Sequence, residues 1–205
     1  MKIHAIKLRS WHAVLLAVAL WPCASMAHTV RYVATLTGDQ QTPGVVTAAS
    51  GFATLELNEA HDTLSMFVSI HGLDFVGATA DPNDDVLAMH IHRGAPGTPG
   101  PVVFGLIGPN HDLDGDLATL FDPAGLGGAL SSAWDGAEGN GTTLAAELDN
   151  LANGLLYFNV HTPGNPGGEI RGQIVAASPV PVPAAAWLLG SALLGLAGRS
   201  RRQRC

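Results

Sequence analysis

Hydrophobic and polar residues alternate along several short stretches in the middle of the chain. Within residues 50–58, Ala53, Leu55 and Leu57 alternate with more polar or larger neighbours. A period of two places such residues on one side of a β-strand. Other short segments, rich in β-branched and aromatic residues and separated by glycine and proline, predict further strands. They lie at residues 29–37, 63–72, 86–92, 101–107, 155–161 and 168–176.

Seven short strands predict an all-β domain, built as a Greek-key-like β-sandwich or a partly closed barrel. One short helix is expected at residues 142–154, with Thr142 or Thr143 as its N-cap and Gly154 as its end. Residues 108–141 are rich in glycine and proline and predict a long connection. Its expected contribution to the core is limited to Leu117, Leu120, Phe121 and Trp134.

The two ends of the chain differ from the middle, because each carries an apolar run next to basic residues. At the N-terminus, basic residues precede the apolar residues 13–21, and small residues follow up to Ala27. This order is typical of a secretory signal, and it predicts that residues 1–27 form a hydrophobic helix that is removed after Ala27. The run is shorter than the roughly 20 residues of a spanning helix, which disfavours a retained anchor.

The C-terminal segment, residues 179–205, begins with alternating proline and valine, continues as the uncharged residues 184–198 and ends in an arginine cluster. Pro183 can occupy the first position of a helix, and residues 184–198 would then extend for about 22 Å. That length is marginal for a bilayer core of about 30 Å, so a plain membrane anchor is the weaker alternative.

This tail resembles the PEP-CTERM class of sorting signals, in the variant that begins Val-Pro-x-Pro-Ala. The residues that carry the resemblance are Val180, Pro181, Val182, Pro183, Ala184, Arg199, Arg201 and Arg202. The resemblance implies a Gram-negative cell, Sec-type export machinery and an exosortase-like enzyme that cuts near the Pro-Ala element. It also implies that residues 184–198 lie in the inner membrane transiently, before the protein reaches the cell envelope, the outer surface or an exopolysaccharide matrix.

Charge divides the chain at the same boundaries. All 17 acidic residues lie within residues 28–178, which contain three arginines and no lysine, so that this middle domain carries a net charge of −14. Such a field repels phosphate backbones and disfavours nucleic-acid binding. Cys23 and Cys205 both lie outside the domain. Its core must therefore be stable without a disulfide, even in an oxidising compartment.

Three segments of the middle domain resemble the CHRD domain, a module named after chordin and also found in bacterial exported proteins. They are residues 34–57, residues 89–103 (MHIHRGAPGTPGPVV) and residues 156–174 (LYFNVHTPGNPGGEIRGQI). The last is the most specific, because an aromatic strand ends in Asn-Val-His-Thr and is followed by Gly-Gly-Glu-Ile-Arg-Gly-Gln. The resemblance spans about residues 30–176. It implies an interaction module rather than an enzyme, since chordin is a ligand-binding extracellular protein.

A candidate metal site begins with the sequence His90-Ile91-His92. On a strand these two imidazoles point the same way, roughly 7 Å apart along the chain. His161, at the end of another predicted strand, is the candidate third ligand, and three imidazoles suit copper or zinc. Copper/zinc superoxide dismutases use a His-x-His strand of a β-sandwich in a similar way. A metalloprotein of that architecture is therefore the alternative function.

A purely structural role for the same residues is the competing interpretation. His90 and His92 would then be packed or hydrogen-bonded, with Arg93 and Glu169 forming an ion pair beside them. Charged and polar residues next to turns commonly have such a role.

Two further metal sites are considered. After signal removal His28 would be the first residue, and its amine and imidazole could chelate copper. The acidic residues 81–85 and 112–116 present oxygen atoms at calcium-like spacing, although neither loop has the final glutamate of an EF-hand. Turns stabilised by aspartate are the simpler interpretation of both loops.

The sequence shows no nucleophile and base at a spacing that favours catalysis. We therefore expect a non-enzymatic binding or structural module, exported and associated with the cell surface or a matrix. A carbohydrate-binding surface is a weaker alternative, because few aromatic residues beyond Trp134 are expected at the surface of residues 28–178.

Overall fold

A computed structural model describes residues 29–108, 114–136 and 138–178. The expected signal, sorting tail and flanking hydrophobic helices lie outside the described residues, as does His28. No helix within the described part of the chain is long and apolar enough to cross a membrane.

The domain is all-β, as the alternating pattern predicts. Each strand predicted from the sequence is present, and the last of them is divided in two at Ile174. The strands are β1 (Val30–Thr37), β2 (Ser50–Leu57), β3 (Thr63–His71), β4 (Ala88–Arg93), β5 (Val102–Ile107), β6 (Ala118–Phe121), β7 (Gly127–Asp135), β8 (Leu156–His161), β9 (Ile170–Gln173) and β10 (Val175–Ala176). A short 3-10 turn, Gly38–Gln40, follows β1, and one helix, α1 (Leu144–Ala152), precedes β8.

All these strands belong to one antiparallel sheet in the order β5-β4-β8-β9-β1-β2-β3-β7-β6, with β10 paired to β1. The sheet curls into a half-barrel. Of the two predicted architectures, the partly closed barrel is therefore the one that forms.

The core lies against one face of this sheet. Buried and exposed residues alternate strictly in β2, and in β3 the buried positions are Leu64, Met66, Val68 and Ile70. In the same core, Trp134 of β7 stacks on Phe104 of β5 with ring centroids 5.2 Å apart, and both side chains are fully buried. Trp134 is thus a core residue rather than a surface aromatic.

The prediction for residues 108–141 was wrong. This segment contains β6 and the nine-residue strand β7, which pairs with β3 from Gly127 opposite His71 to Asp135 opposite Thr63. Glycine, alanine and serine occupy most of β7, so the hydrophobic alternation is weak even though Leu130 and Trp134 are buried. Leu120, expected in the core, is 77% exposed.

The helix begins and ends as its capping residues predict. The Thr143 hydroxyl accepts a hydrogen bond from the amide of Ala146 in the first turn, as expected of an N-cap residue. Gly154 follows the helix with a φ of +67°, a conformation that glycine adopts readily.

Candidate functional site

Strands β4, β8 and β9 are buried on both faces. Strand β5 is buried in the same way but is apolar, whereas these three strands carry polar side chains on one face. One face carries apolar side chains that join the core: Met89, Ile91, Phe158, Val160 and Ile170. The residues between them are polar, and because side chains alternate along a strand they share the opposite face. This polar face consists of His90, His92, Tyr157, Asn159, His161, Arg171 and Gln173.

The pairing of β4 with β8 brings the three predicted histidines together. His161 lies opposite Ala88, two residues before His90, so that it is a diagonal neighbour of His90 across the two strands. The ring centroids are 5.7 Å apart for His90 and His92, 5.4 Å for His90 and His161, and 5.7 Å for His92 and His161. The three imidazoles therefore form a nearly equilateral triangle.

The opposite edge of β4 is irregular beside the same histidines. Its pairing with β5 shifts register between Met89 and His90 and again between Ile91 and His92. Such irregularities increase local twist and redirect side chains. They lie at the two positions where β4 presents an imidazole.

Backbone carbonyls fix the orientation of two of the rings. The Nδ1 atoms of His92 and His161 lie 2.9 Å from the Gly100 oxygen and 3.0 Å from the Pro166 oxygen. A carbonyl only accepts a hydrogen bond, so each Nδ1 carries the proton and each Nε2 carries a lone pair. Both Nε2 atoms are buried without a hydrogen-bond partner. An unsatisfied buried polar atom costs about 1–3 kcal/mol, which makes these two atoms unusual.

The environment keeps these rings neutral. The pKa of His92 is lowered to about 4, mainly by burial. The bond to Gly100 opposes this change, and the neighbouring His161, His90 and Arg171 contribute to it. Burial also lowers the pKa of His161, while the bond to Pro166 opposes the change. Neutral imidazole is the protonation state in which histidine binds a metal.

Tyr157 and Arg171 support His92 from within the sheet. The ring of His92 stacks on Tyr157 with centroids 5.1 Å apart, and the Arg171 guanidinium carbon lies 3.5 Å from the Tyr157 ring centroid. Arg171 is 2% exposed and donates to the carbonyls of Ala95 and Thr98. The Gly100 amide donates to the Tyr157 hydroxyl. The loop that supplies the carbonyl for His92 is thus attached to the sheet through this stack.

A second loop is attached through Glu169, a residue that is 8% exposed. It accepts hydrogen bonds from the hydroxyls of Thr47 and Thr162 and from the amide of Asn165. This network holds the segment that contains Pro166, the partner of His161.

The expected ion pair between Arg93 and Glu169 does not form. Arg93 instead pairs with Glu147 of α1 at 3.0 Å, and Glu147 is fully buried. Thr142 and Asn150 also donate to Glu147, so this carboxylate is satisfied. The sequence could not distinguish the two acidic partners because both are distant from Arg93 along the chain.

The acidic loops contain carboxylates that already bind protein groups. Asp81 accepts from the amide and side chain of Asn83, and Asp84 accepts from Thr79. Of the second loop, Asp112 lies outside the described residues, and Asp116 accepts from the hydroxyl of Ser132 and from the amide of Ala133. These bonds are typical of aspartate in turns. Calcium binding at either loop stays a prediction.

Tyr157 and Arg171 were not identified from the sequence as part of the site. A usable signal was present, because in β8 the polar Tyr157, Asn159 and His161 alternate with Phe158 and Val160 in the same way as the histidines of β4 alternate with apolar residues. This shared alternation indicates that β4 and β8 each have one polar face. It does not show that the two strands are neighbours in the sheet.

The histidine triangle has the donors of a transition-metal site. One ligand atom from each of His90, His92 and His161 can be chosen such that all three lie within 4.8 Å of one another. Imidazole nitrogen suits copper and zinc, whereas calcium and magnesium prefer oxygen.

Comparison with known proteins assigns the domain. No curated protein and no solved structure matches the chain. The CHRD domain model matches residues 32–174, which include most of β1, all of β2 to β9 and all the residues of the polar face. Since this match covers more than half of the 205 residues, the chain belongs to the CHRD domain family.

Proposed function

We propose that this CHRD protein is a non-enzymatic binding or structural module that is exported and associated with the cell surface or an extracellular matrix. The family match over residues 32–174 is the observation that supports this most, because CHRD membership suggests a binding or structural module. The residues outside the match lie at the two ends of the chain.

The sequences of those ends support export. Residues 1–27 have the order of a secretory signal, and residues 179–205 have the order of a PEP-CTERM sorting tail. The partners expected from these segments are Sec-type export machinery and an exosortase-like processing enzyme. The apolar residues 184–198 would hold the protein in the inner membrane until that enzyme acts.

The middle domain suits an extracytoplasmic location. It contains no cysteine that an oxidising compartment could cross-link, and its net charge of −14 favours solubility and disfavours anionic lipid surfaces. Cations and basic surfaces are the partners that such a charge attracts.

The alternative function, a metalloprotein resembling copper/zinc superoxide dismutase, gains no support from the family match. A His-x-His strand is the likeness to that class of enzyme, and such a likeness alone does not establish an activity.

Processing and location test the proposal together. The full-length chain is expressed in a Gram-negative host that has an exosortase, the cell fractions are separated, and the intact mass of the protein in each fraction is measured. We expect a surface or medium fraction that begins at His28 and lacks the arginine cluster. The intact 205-residue chain free in the cytosol would contradict the proposal.

Matched variants separate the two ends. Ala27→Trp should leave the signal attached, because cleavage needs a small residue before the cut. Replacing Arg199, Arg201 and Arg202 together by alanine should impair processing of the tail. The surface variant Arg31→Ala should be exported and processed like the natural chain.

A further inference from the structure

We propose that His90, His92 and His161 bind one transition-metal ion, copper in preference to zinc. This goes beyond the proposed function, because the site is formed by the fold itself and does not depend on where the protein is located.

The fold leaves the Nε2 lone pairs of two histidines available to a metal ion. In His92 and His161 the Nδ1 proton is donated to a backbone carbonyl, which leaves Nε2 as the atom that can bind a metal. Histidine ligands in metal sites usually donate their other ring nitrogen in this way, because the bond fixes the tautomer and the ring orientation. Both Nε2 atoms are buried and make no hydrogen bond. A metal ion would give each its missing partner.

The three imidazole rings also converge on one point. The three rings have centroids 5.4 to 5.7 Å apart, and their ligand atoms lie within 4.8 Å of one another. A tetrahedral ion with bonds of about 2.0–2.1 Å would separate its nitrogen ligands by about 3.3 Å. Small rotations of the side chains therefore close the triangle around one ion, without any change in the strands.

A metal ion can reach the three histidines from the side of His161. His90 and His92 are 6% and 8% exposed, whereas His161 is only half-buried. An ion can therefore enter past His161 and reach the buried pair. The Nδ1 atom of His90 is itself buried, so the third ring belongs to the enclosed part of the site.

The charge of the surroundings favours copper, and the cuprous ion in particular. Imidazole ligands supply no negative charge, and Arg171 adds a buried positive charge behind the Tyr157 ring. A dication is therefore disfavoured relative to a monocation. Copper also binds nitrogen ligands more tightly than zinc as a divalent ion. Zinc would need a fourth ligand, a water or an anion at the His161 side.

Competition titration tests the proposal. Full-length protein in mild detergent is stripped with a chelator and titrated with copper(I) without oxygen, and separately with zinc, each against a coloured chelator of known affinity. We expect one equivalent of either metal, with copper bound more tightly. No saturable binding, or zinc bound more tightly than copper, would overturn the proposal. In this chain His28 is not the first residue, so the amine-imidazole site is excluded.

Single substitutions assign the ligands. His92→Gln and His161→Gln should each weaken copper binding at least about 100-fold, the upper end of the loss caused by removing an outer-shell partner. His90→Gln should have a similar effect, and His71→Gln, at the exposed end of β3, should have none. Circular dichroism during heating verifies that each variant is folded. His161→Gln is the decisive variant because its half-buried position tolerates the change, and unchanged copper affinity there would sink the proposal.

Discussion

The strand pair β2–β3 and the strand pair β4–β8 belong to one sheet but differ in their second face. In β2–β3 the core face is apolar and the other face meets solvent, so that Phe52 and Phe67 are 46% and 51% exposed. In β4–β8 the second face is covered by loops. It carries His90, His92 and Tyr157, all of them buried.

The covered face of β4–β8 is the part of the sheet that holds the candidate metal ligands. Burying a polar face is unfavourable unless its groups find hydrogen-bond partners, and the covering loops supply carbonyls for His92, His161 and Arg171. The unsatisfied Nε2 atoms of the two histidines are the exception. The β2–β3 pair stabilises the domain. In the β4–β8 pair the same kind of strand pairing holds buried imidazoles in place, at a cost in stability.

The largest effect should come from the shared core. Trp134→Ala removes a fully buried ring that stacks on Phe104 and donates to the carbonyl of Glu138. We expect the free energy of unfolding, measured by urea denaturation, to fall by about 3–5 kcal/mol. Phe67→Ala, on the solvent face of β3, is the matched aromatic control and should change stability by less than about 1 kcal/mol. Equal losses in the two variants would show that the two faces do not differ.

Arg171→Met should have the next largest effect. It removes the donors to Ala95 and Thr98 and the cation over Tyr157. We expect a loss of about 2–3 kcal/mol and, through displacement of the Gly100 carbonyl, copper binding about 10–100-fold weaker. Arg171→Lys should recover little, because an ammonium group lacks the planar fork of guanidinium.

The exposed Arg31 gives the control for that substitution. Its ion pair with Glu56 joins two side chains that are 69% and 49% exposed, and such pairs contribute about 0–1 kcal/mol. Arg31→Met should therefore leave both stability and copper binding nearly unchanged. A metal affinity that is equally insensitive to Arg171→Met would remove Arg171 from its positioning role.

The stability of the metal-free protein should fall as the pH is lowered from about 6.5 towards 4. His92 has a pKa of about 4 when folded and an ordinary value of 6.5. Between these values the unfolded chain binds a proton that the folded chain does not, so acid favours unfolding. His161 acts in the same direction, since burial lowers its pKa too. Asp74, whose pKa is lowered by backbone hydrogen bonds, contributes at lower pH.

Urea denaturation at several pH values measures this slope. In His92→Phe the slope between pH 6.5 and 4 should decrease, because the titrating ring is gone while an aromatic ring remains next to Tyr157. His71→Gln, which alters an exposed histidine, should keep the full slope. A profile that is flat in the natural protein would contradict the burial of neutral imidazoles.

The smallest effect is expected on the solvent face of β2. Phe52→Thr replaces a half-exposed aromatic residue with another residue that favours strands. Its free energy of unfolding should change by less than about 1 kcal/mol, and copper binding should not change. A larger loss, measured in the same denaturation experiment, would mean that this face is covered by another surface.

Much of the fold follows from the alternation of residue types. The pattern in residues 50–58 predicted both the strand β2 and its buried face, and a threonine cap with Gly154 predicted the bounds of the helix. Strand β7 was missed because Gly127, Gly128 and the small residues after them carry little hydrophobic signal. Its position depends on pairing with β3, which is a contact between distant parts of the chain.

The site was also predictable only as far as local patterns reach. The shared face of His90 and His92 follows from the period of two, and His161 was a candidate ligand by type. That His161 lies beside them depends on the register of β8 on β4, which no local pattern encodes. Likewise, Arg93 selects Glu147 rather than Glu169 because α1 packs beside it.

Long-range proton-nitrogen NMR spectra of the histidine rings test the central claim most directly, because they report the protonation of each ring nitrogen in the full-length protein. Without metal, His92 and His161 should show protonated Nδ1 and unprotonated Nε2 at pH 7. One equivalent of copper(I) should shift those Nε2 signals and one nitrogen of His90, and leave His71 unchanged. Protonated Nε2 atoms in the metal-free protein, or ring signals that do not respond to copper(I), would contradict the account.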